Sequence, residues 1–229
     1  MYWDKFYCGG SLIRDDTVLT AAHCVVNRKP YTFDVILGDI NWTTKKETLD
    51  IRRQVIRIDI HPRFAQRATF DYDFALLKLH SRINFDIISF IRPACLPFYD
   101  QDDLLTGQIG TVSGWGVIDP KNPTVQANIL QKTNVEIMNT QECKNGYPAS
   151  EVTSTMFCAK ANSTDSCYGD SGGPLTVNQD GVHVLEGVIS WGKNCAKPQW
   201  PGVYSNVGKV LRWIRDHTRD AHSCWQDAI

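Results

Sequence analysis

The stretch Asp165-Ser166-Cys167-Tyr168-Gly169-Asp170-Ser171-Gly172-Gly173-Pro174 places one serine among glycines. A serine hydroxyl is a weak nucleophile until a base removes its proton and donors stabilise the oxyanion that forms. The Gly-x-Ser-x-Gly spacing also fits the strand-to-helix turn of α/β-hydrolases, which needs an apolar strand before it and a helix after it. Here the preceding residues are polar, and Gly172-Gly173-Pro174 cannot begin a helix. The stretch therefore predicts a nucleophilic serine on another kind of turn, against the simpler alternative of a polar loop.

Two further stretches supply a base and an acid. Thr20-Ala21-Ala22-His23-Cys24 contains a histidine, and Asp71-Tyr72-Asp73 directly precedes an apolar run that begins at Phe74. A positioned histidine that moves a proton contributes about 10²–10⁴-fold to a reaction rate. We interpret Asp73, the residue adjoining the predicted strand, as the acid, and Asp71 as its uninvolved neighbour. Surface or turn positions are expected for the other histidines, which are His61, His80, His183, His217 and His222.

The order His23, Asp73, Ser171 resembles the chymotrypsin/trypsin family of serine endopeptidases. Cys8-Gly9-Gly10-Ser11-Leu12-Ile13 and Ser190-Trp191-Gly192 match further motifs of that family, and the resemblance runs from about residue 7 to residue 217. It implies a catalytic triad in which Asp73 holds the tautomer of His23. It also implies an oxyanion hole made by the backbone N–H groups of Gly169 and Ser171. Asp170 is expected to pair with the ammonium group that activation cleavage releases.

The resemblance also implies the substrate specificity. Asp165 would form the floor of the primary pocket and select Arg or Lys, and the Ser166 hydroxyl would help to accept both. A buried carboxylate without a cationic partner is costly, so rejection of apolar side chains would be strong. The implied substrate-binding residues are Asp165, Ser166, Phe70, Ser190, Trp191, Gly192, Gly202 and Tyr168, the last standing where many family members carry Gln.

Short apolar or alternating runs between turn residues predict an all-β fold. Predicted strands cover 18–22, 33–37, 56–60, 74–79, 109–114, 130–137, 156–160, 174–177, 182–191 and 202–207. An apolar stripe at Val210, Trp213, Ile214 and His217 predicts one C-terminal α-helix. With the resemblance, this gives two antiparallel six-stranded-type β-barrels with the active site between them. The expected boundaries within a single peptidase domain of residues 1–229 are an N-terminal barrel (1–92), a proline-rich crossing (93–97), a C-terminal barrel (98–208), a helix (209–219) and a tail (220–229).

Eight cysteines without zinc-type spacing predict disulfides and an oxidising, extracellular compartment. The resemblance implies the pairs Cys8–Cys24, Cys143–Cys158 and Cys167–Cys195, and leaves Cys95 and Cys224. We expect Cys95 to bond an upstream chain, with Cys224 the less expected partner. The sequons at Asn41 and Asn162 are compatible with glycosylation.

Charge and hydropathy exclude some partners. The net charge of −1 gives no reason to expect binding to nucleic acid or to an anionic membrane, and no run of 18 apolar residues is present. No cofactor or metal is expected. Calcium could be held by Asp39, Glu47 and Asp50 in the loop Asp39–Asp50, but Lys45 and Lys46 favour a solvated charged loop.

The predicted function is a secreted endopeptidase that cleaves after Arg or Lys through an acyl-enzyme, derived from a zymogen in a cascade. Its expected partners are protein or peptide substrates and protein inhibitors. One alternative is a non-cleaving homologue, although such proteins usually lose a triad residue. The other is a digestive trypsin, against which Cys95 argues. Because residues 1–6 do not form a signal peptide, we interpret Met1 as the edge of a fragment. Such a chain should be poorly active because Asp170 lacks its cation.

Overall fold

The computed structural model describes residues 6–44, 50–100, 102–119, 122, 124–161, 167–193, 195, 199–218 and 224. The first half forms an antiparallel five-stranded sheet in the order β1-β2-β5-β4-β3. Its strands are β1 (Ser11–Arg14), β2 (Thr17–Thr20), β3 (Asp34–Leu37), β4 (Ile51–Ile60) and β5 (Ala75–Leu79).

The second half forms a closed antiparallel barrel in the order β10-β11-β8-β7-β6-β9. Closure leaves no strand edge unpaired. Its strands are β6 (Ile109–Gly114), β7 (Gln131–Ile137), β8 (Met156–Lys160), β9 (Pro174–Gln179), β10 (Val182–Trp191) and β11 (Gly202–Asn206).

The predicted all-β fold with two barrel-like sheets is confirmed, with one difference in strand number. In the described residues the first sheet has five strands rather than six. The ten-residue β4 pairs with β3 through its first four residues and with β5 through the rest. A register shift lies between Val55 and Arg57, where a bulge increases the local twist. One bent strand thus serves two partners.

Helices are few and short in the described residues. They are α1 (Ala22–Val25), α2 (Asp102–Leu105), α3 (Thr140–Asn145) and α4 (Leu211–His217), the last preceded by a 3-10 turn (Val207–Val210). The predicted C-terminal helix is therefore confirmed, and Val210 and Ile214 of its apolar stripe are buried. None of the described helices has the length and apolar character needed to cross a bilayer.

The hydrophobic core joins the two halves around the site. One buried cluster contains Leu19 and Phe74 of the first sheet together with Val188 of β10 and Ile214 of α4. Burial at this depth stabilises each large apolar side chain by about 1.5–3 kcal/mol. A separate cluster, which includes Leu175, fills the second barrel. The end of β2, the chain entering β5 and part of β10 are therefore supported by one common core.

Four disulfides are present. Three join the expected pairs: Cys8–Cys24, Cys143–Cys158 and Cys167–Cys195. The fourth joins Cys95 to Cys224, which corrects the expectation that Cys95 bonds an upstream chain. The physical reason is position. Cys95 is buried and forms a β-bridge with Val184, and its Cα lies 5.0 Å from that of Cys224.

Candidate active site

The base and the acid meet because two paired strands end side by side. β2 ends at Thr20, which lies opposite Ala75, the first residue of β5. His23 follows β2 in α1, and Asp73 precedes β5. Nδ1 of His23 lies 2.7 Å from Oδ2 of Asp73, and the backbone N–H of His23 donates to Oδ1 at 2.8 Å. The strand register therefore fixes the distance between the two side chains.

The surroundings of Asp73 determine which nitrogen of His23 carries the proton. Asp73 is fully buried, and the Ser190 hydroxyl donates to its Oδ2 at 2.6 Å. An ionised carboxylate can only accept, so Nδ1 of His23 must be the donor and Nε2 is left as an acceptor. The Ser190 hydroxyl thus supports the acid. The expected contact of Ser190 with substrate stays a prediction.

Ser171 is held by backbone bonds that reach both halves of the molecule. The N–H of Gly9, in the first half, donates to the Ser171 carbonyl at 2.8 Å, and the N–H of Gly172 donates to Ile189 of β10 at 2.8 Å. Sγ of Cys24 lies 3.7 Å from the Ser171 carbonyl and 3.8 Å from Nε2 of His23. Among the contacts of the described residues none joins the Ser171 hydroxyl to Nε2, and such bonds are often long before substrate binds.

Two glycines allow the turn that carries the nucleophile. Gly169 has φ = 99° and Gly172 has φ = 81°, values in the left-handed region that other residues adopt only with strain. A Cβ on Gly172 would collide with Thr20 and would lie 2.5 Å from the Gly9 carbonyl. The turn therefore depends on glycine at these positions, and the expected oxyanion donors, the N–H groups of Gly169 and Ser171, lie on it.

Asp170 is oriented by backbone donors. Its Oδ1 accepts from the N–H of Gly116 at 2.7 Å, and its Oδ2 accepts from the N–H of Cys167 at 2.8 Å. Burial raises the pKa of the Asp170 carboxyl above its ordinary value, although these two bonds act in the opposite direction. A buried carboxylate of this kind would be stabilised by a cation. The pairing of Asp170 with an ammonium group stays a prediction.

An aromatic surface lies beside the triad. The rings of Phe70 and Trp191 are stacked with centroids 5.9 Å apart, and Phe70 lies edge-on to His23 at 5.5 Å. Tyr147 packs edge-on against Trp191 at 4.8 Å and donates its hydroxyl to Pro201 at 2.6 Å. Offset or edge-on aromatic pairs of this kind are each worth about 0.5–1.5 kcal/mol beyond their burial. The surface consists of the expected Phe70 and Trp191, and the buried Tyr147 supports Trp191 from the core side.

Part of the expected primary pocket is described. A Cβ on Gly192 would lie 3.8 Å from Cα of Gly202, so these two predicted wall residues face each other. The Cys167–Cys195 disulfide joins the serine turn to the segment after Gly192. Tyr168 is exposed. The predicted floor residues, Asp165 and Ser166, lie outside the described residues.

Metal binding finds little support in the described part of the chain. There, the one cluster with ligand-like spacing is Cys8, His23 and Cys24. Both cysteines are in a disulfide, and a metal ligand must be a thiolate, so this cluster does not fit a metal. Of the loop considered for calcium, Asp39 and Asp50 are described, whereas Lys45, Lys46 and Glu47 lie outside the described residues.

Several residues of the site could not be found from the sequence. Thr20 donates its hydroxyl to the Gly9 carbonyl at 2.8 Å and so steadies the residue that binds Ser171. Asp71, expected to be uninvolved, is completely buried and strongly hydrogen-bonded. Both residues stand in the stretches that carry His23 and Asp73, but their roles are not visible there, because Thr20 acts on Gly9 and Asp71 on Thr153 and Thr155.

Comparisons with known proteins agree with this geometry. The family model described as Trypsin matches residues 2–214. The chain is 34% identical to serine proteinase stubble of Drosophila melanogaster and 37% identical to coagulation factor XI of Bos taurus, covering 93% and 94% of this chain. It spans only 27% and 34% of the length of those proteins. The solved structure of neuropsin, a serine protease expressed in the limbic system of mouse brain, matches with a TM-score of 0.78 and 31% identity over 93% of this chain and 90% of that one. The chain therefore belongs to the trypsin family of serine proteases.

Proposed function

We propose that this domain is a secreted endopeptidase that cleaves peptide bonds after Arg or Lys through an acyl-enzyme. The observation that carries the proposal is the contact of His23 with the buried Asp73, at 2.7 Å, beside the turn that holds Ser171. Nε2 of His23 takes the Ser171 proton while Oγ attacks the substrate carbonyl carbon. The same proton then passes to the leaving amine, and water later releases the acyl group by the reverse sequence.

Charge that develops on the carbonyl oxygen would be stabilised by the N–H groups of Gly169 and Ser171. One such donor is worth about 2.7–4 kcal/mol in the transition state. The left-handed conformation of Gly169 supports this assignment, because it allows the turn on which both donors lie. The buried Asp73 stabilises the imidazolium that forms on His23 in the same step.

Specificity for Arg or Lys is proposed from Asp165. The neighbouring glycines Gly192 and Gly202 support it, since neither carries a side chain that would fill the pocket. A charge-assisted hydrogen bond between Asp165 and an ionised substrate is worth about 1.5–3 kcal/mol. Protein substrates and protein inhibitors that present Arg or Lys are the proposed partners.

Secretion and a place in a cascade complete the proposal. Four disulfides support an oxidising compartment. One relative is named a coagulation factor, and another, a CLIP domain-containing serine protease of Anopheles gambiae, is 33% identical over 94% of this chain and 57% of its own length. Activation would release an ammonium group for Asp170.

The catalytic assignment is tested by Ser171→Ala. We expect the variant to lose turnover of an Arg peptide amide while it still binds an inhibitor protein. A fluorophosphonate should label the activated wild-type protein at Ser171 and should not label Ser171→Ala. If the activated wild-type protein is not labelled, the domain is a non-cleaving homologue and the proposal fails.

A further inference from the structure

Asp71, two residues before the proposed catalytic acid, is a buried carboxylate at the centre of a hydrogen-bond network. Its Oδ2 accepts from Nε of Arg67 at 2.7 Å, and its Oδ1 accepts from Nη2 of Arg67 at 2.9 Å. The hydroxyls of Thr153 and Thr155 also donate to Oδ1, at 2.8 and 2.9 Å. A carboxylate with four charge-assisted donors is held much more firmly than a typical loop side chain.

The partners of Asp71 come from different halves of the molecule. Arg67 and Asp71 lie in the loop between β4 and β5 of the first sheet, whereas Thr153 and Thr155 directly precede β8 of the second barrel. The N–H of Tyr72 also donates to Oγ1 of Thr155, at 3.4 Å. The carboxylate thus joins the loop between β4 and β5 to the second barrel, one residue along the chain from Phe70.

Phe70, the residue next to Asp71 in the chain, is the one that this link would hold in place. Its ring lies between His23 of the first half and Trp191 of the second, at 5.5 and 5.9 Å from their centroids. We propose that Asp71 is a positioning residue that sets the spacing of Phe70 from Trp191. It would thereby determine how the site binds substrate residues on the N-terminal side of the cleaved bond. The inference rests on the proposed peptidase function.

The charge of Asp71 suits this role. Burial by itself would raise the pKa of its carboxyl, but the hydrogen bonds from Arg67, Thr153 and Thr155 hold that pKa below its ordinary value. Asp71 is therefore ionised wherever the enzyme is assayed. Asparagine in place of Asp71 would direct its N–H₂ group at donors on one side, where the carboxylate oxygen now accepts. Valine at both threonines would remove only the hydrogen bonds to the second barrel.

The experiment compares two substrates with the same Arg and the same leaving group. One is a single-residue Arg amide, and the other carries three further residues before the Arg. For Thr153→Val/Thr155→Val and for Asp71→Asn we expect KM of the longer substrate to rise about tenfold while kcat stays within about twofold. KM of the single-residue substrate should stay within about twofold for both variants. Thr153→Ser/Thr155→Ser, which keeps the hydroxyls, should restore the wild-type KM.

A matched control is Asp59→Asn, which removes another Arg–Asp pair, Arg57–Asp59 at 2.8 Å, within the first sheet. This variant should leave KM and kcat unchanged for both substrates. Equal changes on both substrates, a fall in kcat alone, or no rescue by the serine variant would overturn the inference. Failure of the wild-type protein to cleave either substrate would instead refute the proposed function, and the inference with it. If the valine pair does not fold, the single variant Thr153→Val decides by the same comparison.

Discussion

Replacing Glu186 with Gln should stabilise the fold at pH 8 and leave it nearly unchanged at pH 4. Glu186 lies in β10 at a register shift between Leu185 and Gly187 and is 1% exposed. Its Oε1 accepts from Gln179 at 2.8 Å, while Oε2 is buried without a hydrogen-bond partner. Burial raises the pKa of Glu186 from 4.5 to about 7; the bond from Gln179 opposes this, and the charge of Asp100 adds to it.

The sign of the effect follows from the two states. Below pH 4.5 Glu186 is protonated in both the folded and the unfolded protein. Between pH 4.5 and 7 the unfolded state loses the proton first, so the free energy of unfolding falls as pH rises. A shift of this size corresponds to about 3 kcal/mol. Glutamine keeps the acceptor for Gln179 and stays neutral, but its N–H₂ group would be buried at the position of Oε2, which has no hydrogen-bond partner. The net gain in the free energy of unfolding at pH 8 should therefore be about 1–3 kcal/mol.

His61 contributes with the opposite sign. It is 7% exposed, stacked on Tyr72 at 4.5 Å and edge-on to Trp213 at 4.9 Å. Burial lowers the pKa of His61 from 6.5 to about 4; Arg63 and His217 lower it further, and Asp71 raises it. The stability that goes with a neutral His61 is present above pH 6.5 and lost as pH falls toward 4, again about 3 kcal/mol.

The two contributions overlap between pH 4.5 and 6.5 and nearly cancel in the wild-type protein. The assay is urea unfolding by tryptophan fluorescence from pH 4 to 8, in a Ser171→Ala background that prevents self-digestion. Relative to the wild-type profile, the stability of Glu186→Gln should rise with pH across the overlap, and that of His61→Gln should fall. Parallel profiles for the wild-type protein and Glu186→Gln would refute the reasoning.

Two further predictions concern specificity and the fourth disulfide. Asp165→Ser should reduce the preference for an Arg over a matched Leu substrate by about 1.5–3 kcal/mol, because it removes a charge-assisted bond; an unchanged ratio of kcat/KM values would mean that Asp165 does not line the pocket. Peptide mapping without reduction should give a Cys95–Cys224 peptide. Because this bond closes a loop of sequence separation 129, Cys95→Ser/Cys224→Ser should lose about 2–5 kcal/mol of stability. Its kcat/KM should stay unchanged. A map in which Cys95 pairs with another chain would contradict the second of these.

Local patterns were sufficient for most of the fold. The alternating run in β4 and the apolar runs before and after the serine turn predicted strands that the structure contains. β1 was not predicted, because Leu12 and Ile13 stand between Ser11 and Arg14 and form neither an apolar run nor an alternation. His61 was expected at a surface or turn position. It does adjoin a turn, where the N–H of Phe64 donates to its carbonyl at 2.9 Å, but its ring is buried between Tyr72 and Trp213, and the contact with Trp213 leaves no local signal.

The candidate site also contains residues with a local sequence signal and residues without one. His23 and Asp73 each stand in a recognisable motif, so spacing and order were informative. Asp71 carries the same side chain as Asp73, and its environment is distinguished by Arg67 and by the threonines before β8, which are more than 80 residues away in the chain. Tyr147 likewise reaches Trp191 and Pro201 only through the folded barrel. Contacts of this kind leave no local signal in a single sequence.

The bond from Gly9 to the Ser171 carbonyl has a consequence for how the protein tolerates mutation. The two backbones touch there: a Cβ on Gly9 would lie 2.8 Å from Cα of Gly173, and a Cβ on Gly172 would lie 2.5 Å from the Gly9 carbonyl. Neither clash involves a side chain that could shrink to relieve it. Substitutions in the two segments therefore cannot compensate one another, and paired libraries at these positions should show no rescue. Gly9 and Gly172 should therefore each tolerate no other residue, because the contact that holds the Ser171 backbone is made by backbone atoms alone.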